Sequence, residues 1–273
     1  SIVQQTIEKR GLFVRHLKST VLPGLPIKKF HRILLPLQPE QRRLYVEALK
    51  NLVLDLRSTD EETFLRHLGS FLAKRSALLQ ICSNPAAIIK GYTEIPAKLH
   101  ALDSLLEEVI GQKGEKVVLW SFYTASLDAI VTRYKRFNPV RYDGTVSNIV
   151  ERRNVVRRFQ EDDKTMLLVA NPAAAGAGLT LHRAHLAIYE SMSNQAAHYL
   201  QSLDRIHRRG QTRDVDYLIL LCDRTIEVEE YERLISKERA AQALLADHVK
   251  EPITRETMLT ETIQASQLLE DEP

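Results

Sequence analysis

The sequence predicts an α/β protein built on a parallel β-sheet flanked by helices, with a helical insertion near its N-terminus. Between residues 116 and 245, short apolar runs alternate with longer stretches of helical periodicity. The apolar runs are bounded by turn residues, as in strands that are buried on both faces. Such alternation is typical of a doubly wound sheet, in which each helix connects two parallel strands. The predicted strands are 116–122, 140–142, 165–169, 185–189 and 215–221, and the helices between and after them are 126–137, 148–161, 195–209 and 225–245.

Residues 1–90 are organised differently. Residues 1–38 combine proline and glycine turn signals with one apolar alternation, 30–35, that predicts a strand. Residues 39–83 predict a helical hairpin, broken at 58–63 by a segment with a helix-capping signal. A further amphipathic helix is predicted over 96–110. We therefore divide the chain into a connecting segment (1–38), a helical protrusion (39–90), an α/β lobe (91–247) and an acidic tail (248–273), which we expect to be loose or bound to an absent partner.

Composition excludes several classes of protein. The 273 residues are 44% hydrophobic and 27% charged, as in a globular domain, and no run approaches the roughly 18 apolar residues of a membrane span. Nine histidines form no cluster with metal-ligand spacing and two cysteines lie far apart, so we expect no metal site and an intracellular, cytoplasmic or nuclear location. The net charge is only +3, but basic residues gather in 10–29, 152–158 and 205–213. These patches suit a nucleotide or an anionic polymer as partner.

The segment 201–211, with the sequence QSLDRIHRRGQ, is the most informative part of the chain. On a helix of about 3.6 residues per turn, Gln201, Arg205 and Arg208 lie on one stripe, and an apolar face anchors the opposite side. Two arginines at i and i+3 repel each other, so their alignment indicates an anion between them. The alternative is that Asp204 pairs with Arg208 at i+4 and that the face is merely solvated. The glycine of this segment is expected to end the helix.

Ligands of doubly wound sheets bind at the carboxyl ends of the strands. Here that edge carries Thr124, Asp143, Gly144 and the loop 170–178. Small residues in this loop would let backbone N–H groups approach an anion, but a tight turn packed against a helix explains its glycines equally well. The sequence contains no GxxxxGK[ST] phosphate loop and no DExH or DExD run. The arginines of 201–211 therefore indicate action on a nucleotide that is held elsewhere, in the manner of arginine fingers.

Several segments resemble, in order, the motifs of the Swi/Snf-type helicase-like ATPases, the DNA-translocating branch of superfamily two. The pattern QxxDRxHRxGQ at 201–211 resembles motif VI and is the most specific of them. The other matching segments are 14–26 (inter-lobe segment), 79–85 (after the protrusion), 116–128 (motif IV), 142–145 (strand-end motif), 174–181 (motif V) and 225–237 (closing helix). The resemblance implies the second RecA-like lobe of a two-lobed motor, with the helical protrusion inserted near its N-terminus. We expect the chain to be a fragment of that motor.

The resemblance also implies roles for particular residues. Arg205 and Arg208 would be the arginine fingers. Three other residues would lie toward ATP: Gln201, Asp204 and Gly176. Five would contact the DNA backbone: Ser121, Thr124, Asn171, Gly178 and Thr180. ATP and Mg²⁺ would be the cofactors, with Mg²⁺ held mainly by the N-terminal RecA-like lobe, so this chain alone is not expected to hydrolyse ATP. Double-stranded DNA and that lobe would be its partners.

The sequence departs from the family pattern at three places and leaves two alternatives open. Asn171 and Pro172 stand where the family has Ser or Thr followed by Arg, Glu190 replaces the usual Asp, and Arg209 replaces an apolar residue. One alternative is a non-catalytic module that binds nucleic acid or protein. The other is a single-strand helicase, for which base-stacking aromatic residues are expected, although only 6% of residues are aromatic. For the arginines at 152–158, contact with DNA and a solvated helix face are equally good explanations.

Overall fold

The computed structural model describes residues 25–146, 148–176, 179–193, 195–243 and 253–270. Across these residues, six strands form one sheet in the order β1-β6-β5-β2-β4-β3. All five neighbouring pairs are parallel, which confirms the predicted fold class. The strands are β1 (Lys28–Leu35), β2 (Val117–Trp120), β3 (Val140–Tyr142), β4 (Leu167–Ala170), β5 (Leu186–Tyr189) and β6 (Val215–Cys222).

The central strands are buried on both faces. Every residue of β2, β4 and β5 is buried, as the uninterrupted apolar runs predict for a parallel sheet covered by helices. Alternate side chains enter different cores: Val118 and Trp120 pack on one face of the sheet, whereas Val117 and Leu119 pack on the other. Both faces therefore contribute to stability, and function is left to the loops at the ends of the strands.

Helices fill the connections between the strands. Their ranges are α4 (Ala97–Leu106, continued by a π-helical turn, Glu107–Gln112), α5 (Thr124–Arg133), α6 (Ile149–Glu161), α7 (Ala196–Ile206) and α8 (Ile226–Ala243). Helix α7 ends earlier than the predicted residue 209, because the chain leaves the helical conformation at His207 (φ −80°, ψ 79°). Gly210 adopts a left-handed conformation (φ +99°) in the turn that follows, so it does not itself stop the helix.

The protrusion is the predicted helical hairpin with one short helix added. It consists of α1 (Pro39–Arg57), α2 (Glu61–Arg66) and α3 (Leu68–Ser83). Asp60 caps α2 by accepting a hydrogen bond of 2.7 Å from the Thr63 N–H, which agrees with the capping signal in the sequence. Leu49, Leu52 and Phe64 lie in a separate hydrophobic core that is formed by the protrusion.

The expectation of a loose C-terminal tail is wrong for residues 253–270. This segment contains α9 (Arg255–Glu270), which packs on the protrusion and buries Met258, Ala265 and Leu269. The guanidinium of Arg42 donates to the Leu269 carbonyl over 2.7 Å and so caps the end of α9. The buried face is weakly apolar in sequence, so polar composition concealed it. None of the described helices is both long and apolar enough to cross a membrane.

Candidate functional site

Helix α7 is anchored by its apolar face. Tyr199, Leu203 and Ile206 are each no more than 1% exposed, and the Tyr217 hydroxyl donates to the Leu203 carbonyl over 2.7 Å. This packing fixes the rotation of the helix about its axis. As a result, Gln201 is exposed on the opposite face and the two arginines of motif VI are half-buried beside it.

Arg205, at the end of α7, and Arg208, in the turn that follows, lack carboxylate partners among the described residues. In the part of the chain that the structure describes, neither Arg205 nor Arg208 forms an ion pair, and the Arg205 Nε is buried with no hydrogen-bond partner. Asp204 pairs with Lys28 (3.2 Å) and not with Arg208. Burial, together with the charge of Arg208, lowers the pKa of Arg205. Such a site has unsatisfied positive charge and donor capacity, which an anion such as a phosphate would satisfy.

The segment 179–181 is tied to α7 by main-chain and side-chain bonds. The Arg208 Nη1 donates to the Leu179 carbonyl (3.0 Å) and lies 3.4 Å from the Thr180 hydroxyl. The Leu181 N–H donates to the Arg205 carbonyl over 2.8 Å. The structure thus brings Thr180, predicted to face DNA, against Arg208, predicted to face ATP. The segment 179–181 is therefore hydrogen-bonded to both arginines.

The small-residue loop that precedes this segment is only partly described. Gly176 ends a 3₁₀ turn, Pro172–Gly176, directly after β4. The DNA contact predicted for Gly178 lies outside the described residues.

A cavity of about 530 Å³ opens at the carboxyl ends of β2, β3 and β4. This is the edge at which the sequence places a ligand site. The predicted residues Thr124 and Asn171 both lie in its wall, and Thr124 is exposed at the start of α5. The full lining is Thr124, Asp143, Gly144, Thr145, Arg152, Asn171, Ala173 and Ala174.

Two polar side chains shape this cavity. Asn171 donates to the Phe122 carbonyl and accepts from the Ala173 N–H, both over 2.8 Å, so it holds the loops after β2 and β4 together. Burial would raise the pKa of Asp143, but hydrogen bonds from Thr145 and Arg141 outweigh it and the pKa lies below the usual range. Asp143 is therefore an ionised carboxylate that is neutralised within the wall.

Ser121 does not fit the predicted DNA contact. It is fully buried, and its hydroxyl donates to the Glu190 carboxylate over 2.7 Å. The same carboxylate accepts hydrogen bonds from Ser83 (2.6 Å) and Ser191 (2.7 Å). Ser121 thus helps to position the end of β2. The departure at Glu190 was visible in the sequence, but its partners come from segments that lie far apart along the chain.

A buried ion pair next to Glu190 was missed by the sequence. Lys98 is fully buried, pairs with Glu227, and also donates to the Glu190 carbonyl over 2.6 Å. Burial would lower the pKa of Lys98, but the carboxylate of Glu227 outweighs it and the pKa lies above its ordinary value. This pair joins α4 to α8 behind the site. Glu227 lies in the segment 225–237 that resembles the closing helix, but nothing in the sequence indicates that its partner is Lys98, 129 positions away.

One group of potential metal ligands occurs among the described residues. The donor atoms of Cys82, Cys222 and Glu227 lie within 4.8 Å of one another. Burial raises the pKa of the Cys222 thiol, and Glu227 is already paired with Lys98. The group does not suit Mg²⁺, which prefers carboxylate and water oxygens.

Comparison with known proteins agrees with this geometry. A family model described as the helicase conserved C-terminal domain matches residues 97–210. The chain is 33% identical over 151 residues to the chromatin-remodeling ATPase INO80 of Arabidopsis thaliana. The aligned region covers 54% of this chain and 10% of that protein. It is 29% identical over 242 residues to the chromodomain-helicase-DNA-binding protein 1-like of Danio rerio. Here the aligned region covers 86% of this chain and 23% of that protein.

A solved structure shows the same fold. The Sulfolobus solfataricus SWI2/SNF2 ATPase core in complex with dsDNA aligns with a TM-score of 0.65 at 22% identity, covering 98% of this chain and 54% of that one. The sheet and these matches define a RecA-like helicase C-terminal lobe. In these comparisons the chain is similar to chromatin-remodeling and SWI2/SNF2 ATPases, and its residues 97–210 match the helicase conserved C-terminal domain. It spans only a small part of the curated relatives, 10% and 23% of their length.

Proposed function

We propose that this chain is the second motor lobe of an ATP-dependent double-stranded-DNA translocase, to which it supplies arginine fingers and contacts to the DNA backbone. One observation carries the proposal: two half-buried arginines, Arg205 at the end of α7 and Arg208 in the turn that follows, have no carboxylate partner among the described residues. The similar SWI2/SNF2 ATPase core was solved in complex with dsDNA, which supports DNA as the polymer. We expect such a motor to act inside the cell, in the cytoplasm or the nucleus.

Arg205 and Arg208 would stabilise the negative charge that develops as the γ-phosphoryl group of ATP is transferred to water. Gln201, exposed on the same stripe, would orient them, and Asp204 and Gly176 would lie toward the nucleotide. Since the chain contains no phosphate loop, ATP would be cradled by the N-terminal RecA-like lobe, which would also hold most of the Mg²⁺ coordination. Hydrolysis would therefore require closure of the two lobes.

The DNA strand would run across the cavity at the carboxyl end of the sheet. Its phosphates would be met by the exposed Thr124 hydroxyl and the Arg152 guanidinium in the wall, and by the segment around Thr180. Gly178 and Asn171 would contribute backbone donors and loop position. The segment 179–181 is hydrogen-bonded to both arginines: Leu179 accepts from Arg208, and Leu181 donates to the Arg205 carbonyl. A shift of the DNA would therefore be transmitted to the fingers. This connection would make ATP turnover depend on DNA.

The test is ATP turnover by the full-length protein with saturating duplex DNA. Replacing Arg208 by Ala should lower DNA-stimulated turnover by about 10³–10⁵, the usual cost of losing an arginine finger. ATP binding, measured with a fluorescent nucleotide, should largely survive because the first lobe provides most of it.

Arg209→Ala is the matched control, since Arg209 is an exposed arginine next in sequence, and its turnover should stay near that of the unmodified protein. Unchanged turnover in the Arg208 variant would refute the finger assignment. The 273-residue chain on its own should not hydrolyse ATP, and turnover by it would refute the two-lobe division of labour.

A further inference from the structure

Helix α6 presents an exposed face that is basic and carries two aliphatic residues. Ile149 and Val150 in its first turn are 67% and 60% exposed. Arg153 and Arg157 follow Ile149 at steps of four residues, and both are exposed. Phe159 is fully buried and anchors the opposite side of the helix. The orientation of the arginine row is therefore set by packing.

Arg153 and Arg157 differ from several other exposed arginines of this chain. Within the described residues neither forms an ion pair, and Arg157 donates only to the Asn154 side chain, over 3.2 Å. Glu161 lies one turn beyond Arg157, at favourable spacing, yet no ion pair joins them. Other exposed arginines have carboxylate partners: Arg43 with Glu40, Arg66 with Glu62, Arg133 with Asp103 and Arg136 with Glu107.

An unpaired row of like charges has a cost that an external anion would remove. Two cations at i and i+4 repel each other and destabilise an isolated helix. The backbone positions of the two residues are about 6 Å apart along the helix axis. Arg158 lies about 100° around the helix from Arg157, so it is off this row, and its carbonyl accepts a hydrogen bond of 3.0 Å from the Asp162 N–H at the end of α6.

The row begins at the rim of the cavity. The loop of residues 143–145 leads into α6, and Arg152, the neighbour of Arg153, lies in the cavity wall. Helix α6 packs on β3, the last strand of the sheet, so the row runs outward from the site along the edge of the lobe. A polymer bound in the cavity could continue along it.

We propose that Arg153 and Arg157 extend the DNA-binding surface from the cavity along α6 and bind phosphates of the same duplex. This inference depends on the proposed DNA-binding function. The ligand is a double-stranded nucleic acid backbone: the row is continuous with the cavity, and guanidinium groups suit phosphate oxygens. Ile149 and Val150 border the row and contribute no charge to it.

The experiment measures binding of the 273-residue chain to a fluorescent DNA duplex by anisotropy, over a series of salt concentrations. The slope of log affinity against log salt reports the number of phosphates contacted, at about 0.9 per contact. The double variant Arg153→Ala/Arg157→Ala should reduce this slope by about 1.8 and weaken binding. The variant Arg153→Lys/Arg157→Lys should keep the slope, because each lysine keeps its charge.

The matched control is Lys50→Ala/Arg57→Ala, which removes two exposed cations of α1 and should leave the slope unchanged. An equal slope in the Arg153/Arg157 alanine variant would overturn this inference and leave the proposed function standing. A flat salt titration of the unmodified chain would instead count against DNA binding altogether. A further outcome would also overturn the inference. If an acidic peptide competed with DNA for α6, and Ile149→Ala/Val150→Ala abolished binding of that peptide, the face would bind a protein partner and not DNA.

Discussion

Two pairs of buried or half-buried arginines differ in their electrostatic environment: one pair has carboxylate partners and the other has none among the described residues. Arg75 of α3 and Arg233 of α8 share the carboxylates of Glu230 and Glu261; Arg75 lies 2.8 Å from the first and 3.1 Å from the second. These four groups join the protrusion, the α/β lobe and the C-terminal helix α9. Arg205 at the end of α7 and Arg208 in the turn after it, by contrast, have no ion-pair partner among the described residues.

The difference separates charges that hold the fold together from charges that are available to a ligand. A buried charge is tolerated when the protein supplies its counter-charge, and removing one partner is then costly. A partly buried charge without a partner lowers stability and is retained where an external group completes it. Loss of a paired charge should therefore reduce stability, whereas loss of Arg205 should reduce activity without reducing stability.

The largest stability effect is expected at the buried pair of Lys98 and Glu227. Replacing Lys98 by Met should lower the free energy of unfolding by about 3–5 kcal/mol, because Glu227 would be left buried and uncompensated. Urea denaturation followed by circular dichroism measures this change. The control Lys50→Met, at an exposed position, should stay within about 0.5 kcal/mol of the unmodified chain. A comparably small effect at Lys98 would mean that burial and pairing do not distinguish the two classes of charge.

The sequence predicts the local parts of this arrangement well. The strands and helices of the α/β lobe follow from periodicity, because burial on both faces leaves continuous apolar runs. The apolar face of α7 follows from helical geometry, although the helix ends before Arg208, so the predicted stripe is only partly helical. The edge that bears the cavity follows from parallel topology. In each case the signal lies within one segment of the chain.

What the sequence could not predict are pairings between distant segments. Lys98 and Glu227 are 129 positions apart, and Arg75 meets Glu230 across 155 positions. The burial of Ser121 depends on Glu190, which comes from a different strand end. Helix α9 was missed for the same reason, since its buried face is recognisable only beside the protrusion. The sequence identified arginines suited to an anion, but only the structure separates them from those already paired.

A direct comparison of the two arginine pairs should give effects of opposite sign. Arg205→Met should raise the free energy of unfolding by no more than about 1 kcal/mol, because the substitution removes a desolvated charge and its repulsion with Arg208. Arg75→Met should lower it by at least about 2 kcal/mol, since Glu230 and Glu261 lose a partner. Thermal and urea unfolding of both variants measures the contrast. A loss at Arg205 as large as that at Arg75 would show that Arg205 is a structural residue.

The smallest effect concerns Glu229, which adds a further carboxylate beside the paired arginines. Its Oε2 is buried with no hydrogen-bond partner among the described residues, and burial, followed by the charge of Glu261, raises its pKa above the ordinary value of 4.5. Because the pKa is higher in the folded chain than in the unfolded chain, the protonated form stabilises the fold below about pH 4.5, and this contribution is lost as the pH rises through the folded-state pKa.

At pH 7 Glu229 is therefore a destabilising carboxylate, and Glu229→Gln should raise the free energy of unfolding by about 0.5 kcal/mol. The advantage should shrink toward zero at pH 4, where the carboxyl group is itself neutral. Urea unfolding at both pH values measures this, with the exposed Glu161→Gln as control. An advantage that is equal at both pH values would show that charge is not its cause. The ionised Glu229 would then cost no stability beside Arg75 and Arg233, which would weaken the distinction between paired and available charges.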